Sequence, residues 1–140
     1  MKQFMEISPN EYLLETLRKN HITSVKNGCN ESTCGVCTVL MDGKPVLSCS
    51  LLSVRADGHK ITTVDGLQKE VEHISEFFGD EGADQCGFCN TGMALTIYAL
   101  KNEIKNPTDD QIKDYIVGNL CRCSGYHAQF KAIKSYLEVK

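Results

Sequence analysis

Eight cysteines carry the most evident chemistry in this chain of 140 residues, and they fall into two sets of four. The first set has the spacing C-x4-C-x2-C with a fourth thiol after eleven more residues: Cys29, Cys34, Cys37 and Cys49. The second set combines a C-x2-C with a C-x-C: Cys86, Cys89, Cys121 and Cys123. The N-terminal segment shows no export signal, which predicts a cytoplasmic location where thiols stay reduced. We therefore expect metal binding rather than a disulfide framework.

The first cysteine set lies in a loop that contains Gly28 and Gly35. Glycine lets the backbone approach a compact cluster closely and turn successive N–H groups towards its sulfurs. The C-x4-C-x2-C spacing is typical of plant-type ferredoxins, in which thiolates hold a 2Fe–2S cluster. A structural zinc site is the main alternative, although zinc usually takes two short C-x2-4-C pairs, and a disulfide framework is a further alternative.

The second cysteine set lies at two predicted junctions between a helix and a loop. The free N–H groups and the dipole at a helix N-terminus favour an anionic cluster there. By spacing alone, this set suits zinc about as well as iron. Beside a ferredoxin-type loop, a second 2Fe–2S cluster becomes the favoured interpretation.

The residues around the first set predict a small sheet with one helix packed on it. Asp42-Gly43 is a strong hairpin signal between two apolar runs. Ser8-Pro9-Asn10-Glu11 has the pattern of a helix start, with Ser8 as the N-cap and the helix continuing to about Asn20. The predicted strands comprise residues 4–7, 36–41, 46–50 and 61–64.

In the second half of the chain, apolar residues recur at three-to-four spacing, and this pattern predicts four short helices. The stripes lie in residues 71–78, 93–104, 112–116 and 130–137. Thr108 and Gln111 have the spacing of a capping box before the third of these helices. The change in character near Leu67 predicts an α+β protein with domains at residues 1–67 and 68–140.

Three stretches together resemble one known family: SVKNGCNESTCGVCTVLMDGKPVLSC, QCGFC and GNLCRCSGY. In this order they resemble the iron–sulfur subunit of the molybdenum hydroxylases, the family of xanthine dehydrogenase, aldehyde oxidoreductase and carbon monoxide dehydrogenase. The resemblance covers roughly residues 5–138. It implies an N-terminal β-grasp ferredoxin-like domain followed by a C-terminal four-helix bundle domain, each with a 2Fe–2S cluster.

The resemblance also implies a role for each thiol. The first set corresponds to the ligands of an outer cluster near a flavin, and the second to those of an inner cluster near the molybdenum cofactor. Gln85 and Cys123 correspond to residues that approach the pterin. The chain is then expected to pass electrons from a large molybdopterin-binding subunit to a medium FAD-binding subunit. Purines or other N-heterocycles are the substrates that the family favours.

The sequence departs from the family pattern at three places. It begins after the hairpin that usually opens the fold, which predicts that one sheet edge is open or covered by a partner. Asn90-Thr91 stands where Thr-Pro is usual, so a rigid φ at the helix entry is lost. Ser124 stands where threonine is usual and keeps the hydroxyl.

Composition and motifs exclude several function classes. The formal charge of −3 predicts no nucleic-acid partner, and no apolar run approaches the roughly 18 residues of a membrane span. No nucleophile–base set, phosphate loop or Rossmann fingerprint is evident, so we expect no substrate site on this chain. The alternative function is a zinc-stabilised four-cysteine scaffold or binding module without redox chemistry.

Lys26 is predicted to be solvated, and Arg122 to face a partner or a carboxylate.

Overall fold

The computed structural model describes residues 4–138, which form a small antiparallel sheet and five α-helices. The elements follow one another as α1 (Leu13–Lys19), β1 (Thr38–Met41), β2 (Lys44–Leu47), β3 (Ile61–Thr62), α2 (Gln68–Asp80), α3 (Asn90–Glu103), α4 (Asp109–Ile116) and α5 (His127–Glu138). Short 3-10 turns at Ser53–Ala56 and Val64–Leu67 flank β3. The predicted α+β class is therefore confirmed. Among the described residues, no helix combines the length and the apolar character needed to cross a membrane.

The sheet has the order β2-β1-β3, and β1 pairs antiparallel with both neighbours. Asp42 and Gly43 connect β1 to β2 with φ values of 51° and 83°. Two positive φ values are what a two-residue type I′ hairpin requires, so the predicted turn is confirmed. The strands are shorter than predicted. β2 ends at Leu47, and just beyond it the Ser48 N–H and hydroxyl both donate to the Cys37 carbonyl, at 3.4 and 2.7 Å.

The first helix begins at Leu13, so the predicted start at Ser8 is wrong. Ser8 and Glu11 instead close a turn, in which the Glu11 N–H donates to the Ser8 carbonyl at 3.0 Å. The Ser8 N–H in turn donates to the Glu11 carboxylate at 3.2 Å. Glu15 caps the N-terminus of α1, because its carboxylate accepts a hydrogen bond from the N–H of the N-cap residue Tyr12 at 3.1 Å. The strand predicted at residues 4–7 is also wrong, because the structure gives these residues no ladder partner.

The four predicted helices of the second half are all present, and the Thr108 capping box is confirmed at the start of α4. Helix α3 is the central element, since it packs against α2, α4 and the sheet strand β1. Met93, Ile97 and Leu100 of α3 are fully buried in the helical core. A separate small cluster joins α3 to the sheet through Leu40 and Leu95. The two halves of the chain are thus packed directly against one another.

Candidate metal centres

The first cysteine set lies in the loop between α1 and β1, with Cys49 just after β2. The backbone of this loop turns inward at Asn30, Ser32 and Gly35, which have φ values of 58°, 58° and 74°. The Cys29 sulfur accepts from the N–H groups of Glu31 and Cys34, both at 3.4 Å. The loop therefore provides backbone donors to sulfur, but the positive φ values beside the Glu31 donor belong to Asn30 and Ser32 rather than to Gly28.

The ionisation of these thiols depends on the same contacts. The backbone donors of Glu31 and Cys34 lower the pKa of Cys29 to about 7. Burial raises the pKa of Cys37 to about 11, and burial also raises the pKa of Cys34. A positively charged metal centre would offset the cost of ionising these buried thiols.

The first set comes together as two pairs of thiols. Cys34 lies beside Cys29, and Cys37 beside Cys49, close enough that each neighbouring thiol raises the pKa of Cys34 or Cys37. The Ser32 hydroxyl lies 4.0 Å from the Cys49 sulfur and so connects the loop to the fourth thiol. Two pairs of thiols suit a centre with two iron atoms, each of which takes two thiolates.

The second set lies where two loops meet the helical core. Cys86 and Cys89 precede α3, while Cys121 and Cys123 lie between α4 and α5. These thiols also lie as two neighbouring pairs, Cys89 with Cys121 and Cys123 with Cys86. Cys86 and Cys123 are exposed, whereas the other pair is partly buried. This second centre therefore has one pair inside the protein and one pair at its surface.

Two side chains add to the backbone donors at the second set, where the Phe88 N–H donates to the Cys86 sulfur at 3.5 Å. The Ser124 hydroxyl donates to the Cys121 sulfur at 3.2 Å, and the Gln129 amide donates to the Cys89 sulfur at 3.5 Å. Burial raises the pKa of Cys89 to about 11. Burial would also raise the pKa of Cys121, but the Ser124 hydroxyl and nearby N–H groups outweigh it, and the net shift is downward.

The two sets meet at a tight junction of backbone. The Leu120 N–H donates to the Cys34 carbonyl at 2.9 Å, and the buried Asn119 amide donates to the Gly35 carbonyl at 3.2 Å. Gly92 of α3 lies against the same segment, where an added Cβ would come 2.3 Å from the Gly35 carbonyl oxygen. A side chain at Gly92 would therefore push the first loop away from the helices.

Lys26 adds a second contact between the sets. Its Nζ donates to the carbonyls of Gly87 and Phe88 at 3.3 and 3.1 Å and lies 5.2 Å from the centre of the Phe88 ring. The sequence predicts that Lys26 is solvated, but it is half-buried and its ammonium group is bound to backbone carbonyls. The side chain instead reaches the C-x2-C turn of the second set.

Gln85 and Cys123 lie on the same exposed edge of the molecule. Gln85 precedes Cys86, which neighbours Cys123, and all three residues are exposed. Arg122 is exposed as well, and it forms no ion pair with any carboxylate of the described residues.

Sequence reasoning missed Asn119 and Gln129. Gln129 had a usable signal, because it precedes Ile133 by four residues and Tyr136 by seven, which places it on the buried face of α5. Asn119 had none, because its partner Gly35 lies 84 residues away.

The donor chemistry of both sets fits 2Fe–2S clusters. Each set offers four thiols in two pairs, and N–H or O–H donors point at several of the sulfurs. Among residues 4–138, no group of three or more His, Cys, Asp or Glu side chains is arranged around a single metal ion.

Comparison with known proteins divides the chain into two matched segments, one around each cysteine set. Residues 2–66 match the model of a 2Fe-2S iron-sulfur cluster binding domain, and residues 63–134 match that of a [2Fe-2S] binding domain. The two matches overlap only at residues 63–66. Each contains one complete set of four cysteines.

Curated relatives extend over nearly all of the chain. The nicotinate dehydrogenase small FeS subunit of Eubacterium barkeri is 41% identical over 133 residues, which are 93% of this chain and 85% of the relative. The xanthine dehydrogenase iron-sulfur-binding subunit of Escherichia coli is 42% identical over 122 residues, which are 84% of this chain and 77% of the relative.

Solved structures show the same likeness in three dimensions. Quinoline 2-oxidoreductase from Pseudomonas putida 86 superposes with a TM-score of 0.84 at 36% identity, over 94% of this chain and 83% of that one. Aldehyde oxidoreductase from Desulfovibrio gigas gives a TM-score of 0.88 at 30% identity, over 96% of this chain but 16% of that much longer one. The chain belongs to the family of 2Fe–2S iron–sulfur small subunits of the molybdenum hydroxylases.

Proposed function

We propose that this chain is the electron-transfer subunit of a molybdenum hydroxylase. It would hold one 2Fe–2S cluster in each cysteine set. Electrons would pass from the molybdenum cofactor of a large subunit to the inner cluster, then to the outer cluster, and then to FAD on a medium subunit. The outer ligands would be Cys29, Cys34, Cys37 and Cys49, and the inner ligands Cys86, Cys89, Cys121 and Cys123. The paired arrangement of the thiols in both sets supports this assignment.

The domain organisation is part of the same proposal. A β-grasp ferredoxin-like domain would comprise residues 1–67, and a four-helix bundle domain residues 68–140. The three-stranded sheet with α1 supports the first domain, and the packing of α3 against α2 and α4, with α2 against α5, supports the second. The boundary of the two family matches at residues 63–66 lies close to the proposed one.

The hydrogen bond from the Leu120 N–H to the Cys34 carbonyl is the observation that carries the proposal. Cys34 belongs to one ligand set, and Leu120 is bonded directly to Cys121 of the other. One hydrogen bond of 2.9 Å and a short run of covalent bonds therefore connect the two sets. Electron transfer requires the two centres to lie close together, whereas a scaffold needs only that each half of the chain be stable.

The exposed edge of the second set is the proposed docking site for the large subunit. Gln85 and Cys123 would face the pterin there, and the Asn90-Thr91 turn and residues 122–125 would contact the partner. A surface groove of about 530 Å³ adjoins this loop and is lined by apolar side chains such as Val117, Leu120 and Phe130. Val117 is 77% exposed, and covering so apolar a surface is what a partner subunit would do.

Substrate chemistry would take place on the large subunit and not on this chain. The names of the relatives, nicotinate dehydrogenase, xanthine dehydrogenase and quinoline 2-oxidoreductase, support an N-heterocycle as the substrate class. A cytoplasmic location is also proposed, because eight free thiols favour a reducing compartment.

The decisive experiment is metal and sulfide analysis of the chain purified anaerobically from its native complex. We expect about four irons and about four acid-labile sulfides per chain, together with co-purifying molybdopterin and flavin. Two zinc ions per chain without sulfide would refute the proposal and favour the zinc-stabilised scaffold.

A further inference from the structure

Gln129 is a fully buried amide at the second metal centre. It lies in the first turn of α5 with an exposed fraction of 0%, on the same face as the buried Ile133 and Tyr136. Its Nε2 donates to the Cys89 sulfur at 3.5 Å, across 40 residues of sequence. An amide on an otherwise apolar helix face therefore points directly at one of the proposed ligands.

The amide gains little from its other surroundings. Its Oε1 is buried without a hydrogen-bond partner among the described residues, and a buried polar atom without a partner costs free energy. A leucine at this position would fill the core without that cost. Among the described residues, the bond from Nε2 to the Cys89 sulfur is the hydrogen bond that offsets this cost. Such a bond strengthens when the sulfur carries negative charge.

The orientation of the amide follows from the same chemistry. If the amide were turned over, Oε1 would face the lone pairs of the thiolate and the two would repel each other. The N–H must therefore point at Cys89, and burial keeps water from competing for that sulfur. A fixed dipole in a dry environment acts more strongly than one in water.

We propose that Gln129 is a tuning residue of the inner cluster, which raises its reduction potential through the N–H bond to the Cys89 thiolate. The inference rests on the proposed function. Reduction adds a negative charge to the centre, and an N–H donor to sulfur stabilises the more negative state. The effect is specific to the inner cluster, because Gln129 contacts no sulfur of the first set.

Ser124 provides a matched comparison on the same centre. Its hydroxyl donates to the Cys121 sulfur at 3.2 Å, but Ser124 is only half-buried. Water can replace a hydroxyl that is lost from such a position. Removing the Ser124 donor should therefore shift the inner potential less than removing the buried Gln129 donor.

The test is a potentiometric titration of the holo-complex, with both clusters followed by their separate paramagnetic signals. Gln129→Leu and Gln129→Met both remove the donor while differing in shape. In each, we expect the equilibrium constant for reducing the inner cluster to fall by roughly tenfold, which is 59 mV for one electron. The outer cluster should keep its potential, and Ser124→Ala should give a smaller shift.

Several outcomes would overturn the inference. They are an unchanged inner potential with both clusters loaded, an equal shift of both potentials, or loss of the inner cluster in both variants. The last would show that Gln129 is needed to bind the cluster rather than to tune it. Iron and sulfide analysis of the wild-type chain separates these outcomes from a failure of the proposed function, which would show as an absence of clusters before any substitution.

Discussion

The two metal centres surround their sulfurs in different ways. At the first, an irregular loop with positive φ values turns backbone N–H groups of Glu31 and Cys34 onto the Cys29 sulfur. At the second, side chains of Ser124 and Gln129 reach the sulfurs from a loop and a helix. Backbone donors change only when the loop changes shape, whereas side-chain donors can be altered one at a time. The second centre is therefore the one that substitution can tune.

The two centres also differ in how far the chain covers them. In the first set Cys37 is buried, with an exposed fraction of 3%, and the other three thiols are half-buried. In the second set two of the four thiols are exposed. The sheet half of the chain and its junction with the helices thus cover the first set further than the second is covered. The second leaves one pair at the surface, where a partner subunit would cover it.

The largest expected effect is the loss of one cluster while the other is retained. Cys34→Ser should remove the outer cluster and Cys121→Ser the inner one, because each substitution deletes a ligand from one set. Iron should fall from about four to about two per chain in either variant. Reduced samples should each lack a different paramagnetic signal. Loss of both signals from a variant that remains folded would show that the two sites are not independent.

The junction between the centres should respond strongly to a single methyl group. Gly92→Ala places a Cβ 2.3 Å from the Gly35 carbonyl oxygen and 3.0 Å from the Val36 Cα. Both of these neighbours are backbone atoms, which cannot turn away as a side chain could. We expect a loss of about 1–3 kcal/mol in the free energy of unfolding, since overpacking outweighs the gain in helix propensity. Denaturant titration of the cluster-loaded chain measures it.

Gly79→Ala is the matched control for that substitution. Gly79 also lies in a helix, but an added Cβ there meets no atom within 4 Å. The control should leave the free energy of unfolding unchanged or raise it by up to about 1 kcal/mol. Equal responses of the two variants would contradict the tight junction.

A smaller effect is expected from the buried Asn119, which holds the Gly35 carbonyl from the helical side. Asn119→Ala leaves that carbonyl with its Thr38 donors and should cost about 0.5–1.5 kcal/mol, the usual net contribution of one hydrogen bond. Asn102→Ala removes a similar amide bond at an exposed site and should cost less. Thermal unfolding of the two variants side by side would test the ranking, which would be contradicted by a larger loss at Asn102.

The smallest expected effect comes from Lys26, whose ammonium group lies against the C-x2-C turn of the second set. Lys26→Gln removes one positive charge, so the inner cluster should become slightly harder to reduce. Salt should weaken the difference, because partly exposed charges are screened. Potentiometry at low and high ionic strength measures it. A shift confined to the outer cluster would mean that the contact with Gly87 and Phe88 does not form.

Local chemistry made much of this fold predictable from the sequence. Asp42-Gly43 specifies its hairpin because few other residue pairs accept two positive φ values. Thr108 specifies the start of α4 because its side chain caps the helix within three residues. The cysteines could be grouped by spacing because neighbours such as Cys86 and Cys89 have little freedom to separate, but spacing does not tell which thiols of the two loops lie side by side.

Local signals failed where a distant partner decides the structure. Ser8 has a good capping pattern, but the helix begins only at Leu13. The Leu13 N–H bonds to the Leu51 carbonyl, and the Glu11 carbonyl accepts from the Ser53 N–H. The contacts of Leu120 with Cys34 and of Gln129 with Cys89 span long stretches of sequence, so no local pattern reveals them. These contacts decide how the two centres are placed and tuned.

Spectroscopy of the fully reduced chain tests the central claim most directly, which is that one polypeptide holds two separate 2Fe–2S clusters in contact through its backbone. Quantitative electron paramagnetic resonance should show two distinct signals that together account for about two unpaired spins per chain. The signals should also broaden each other when both clusters are reduced, because the Cys34–Leu120 bond holds the two sets close together. A single signal, or the absence of any signal in a chain loaded with metal, would contradict the account.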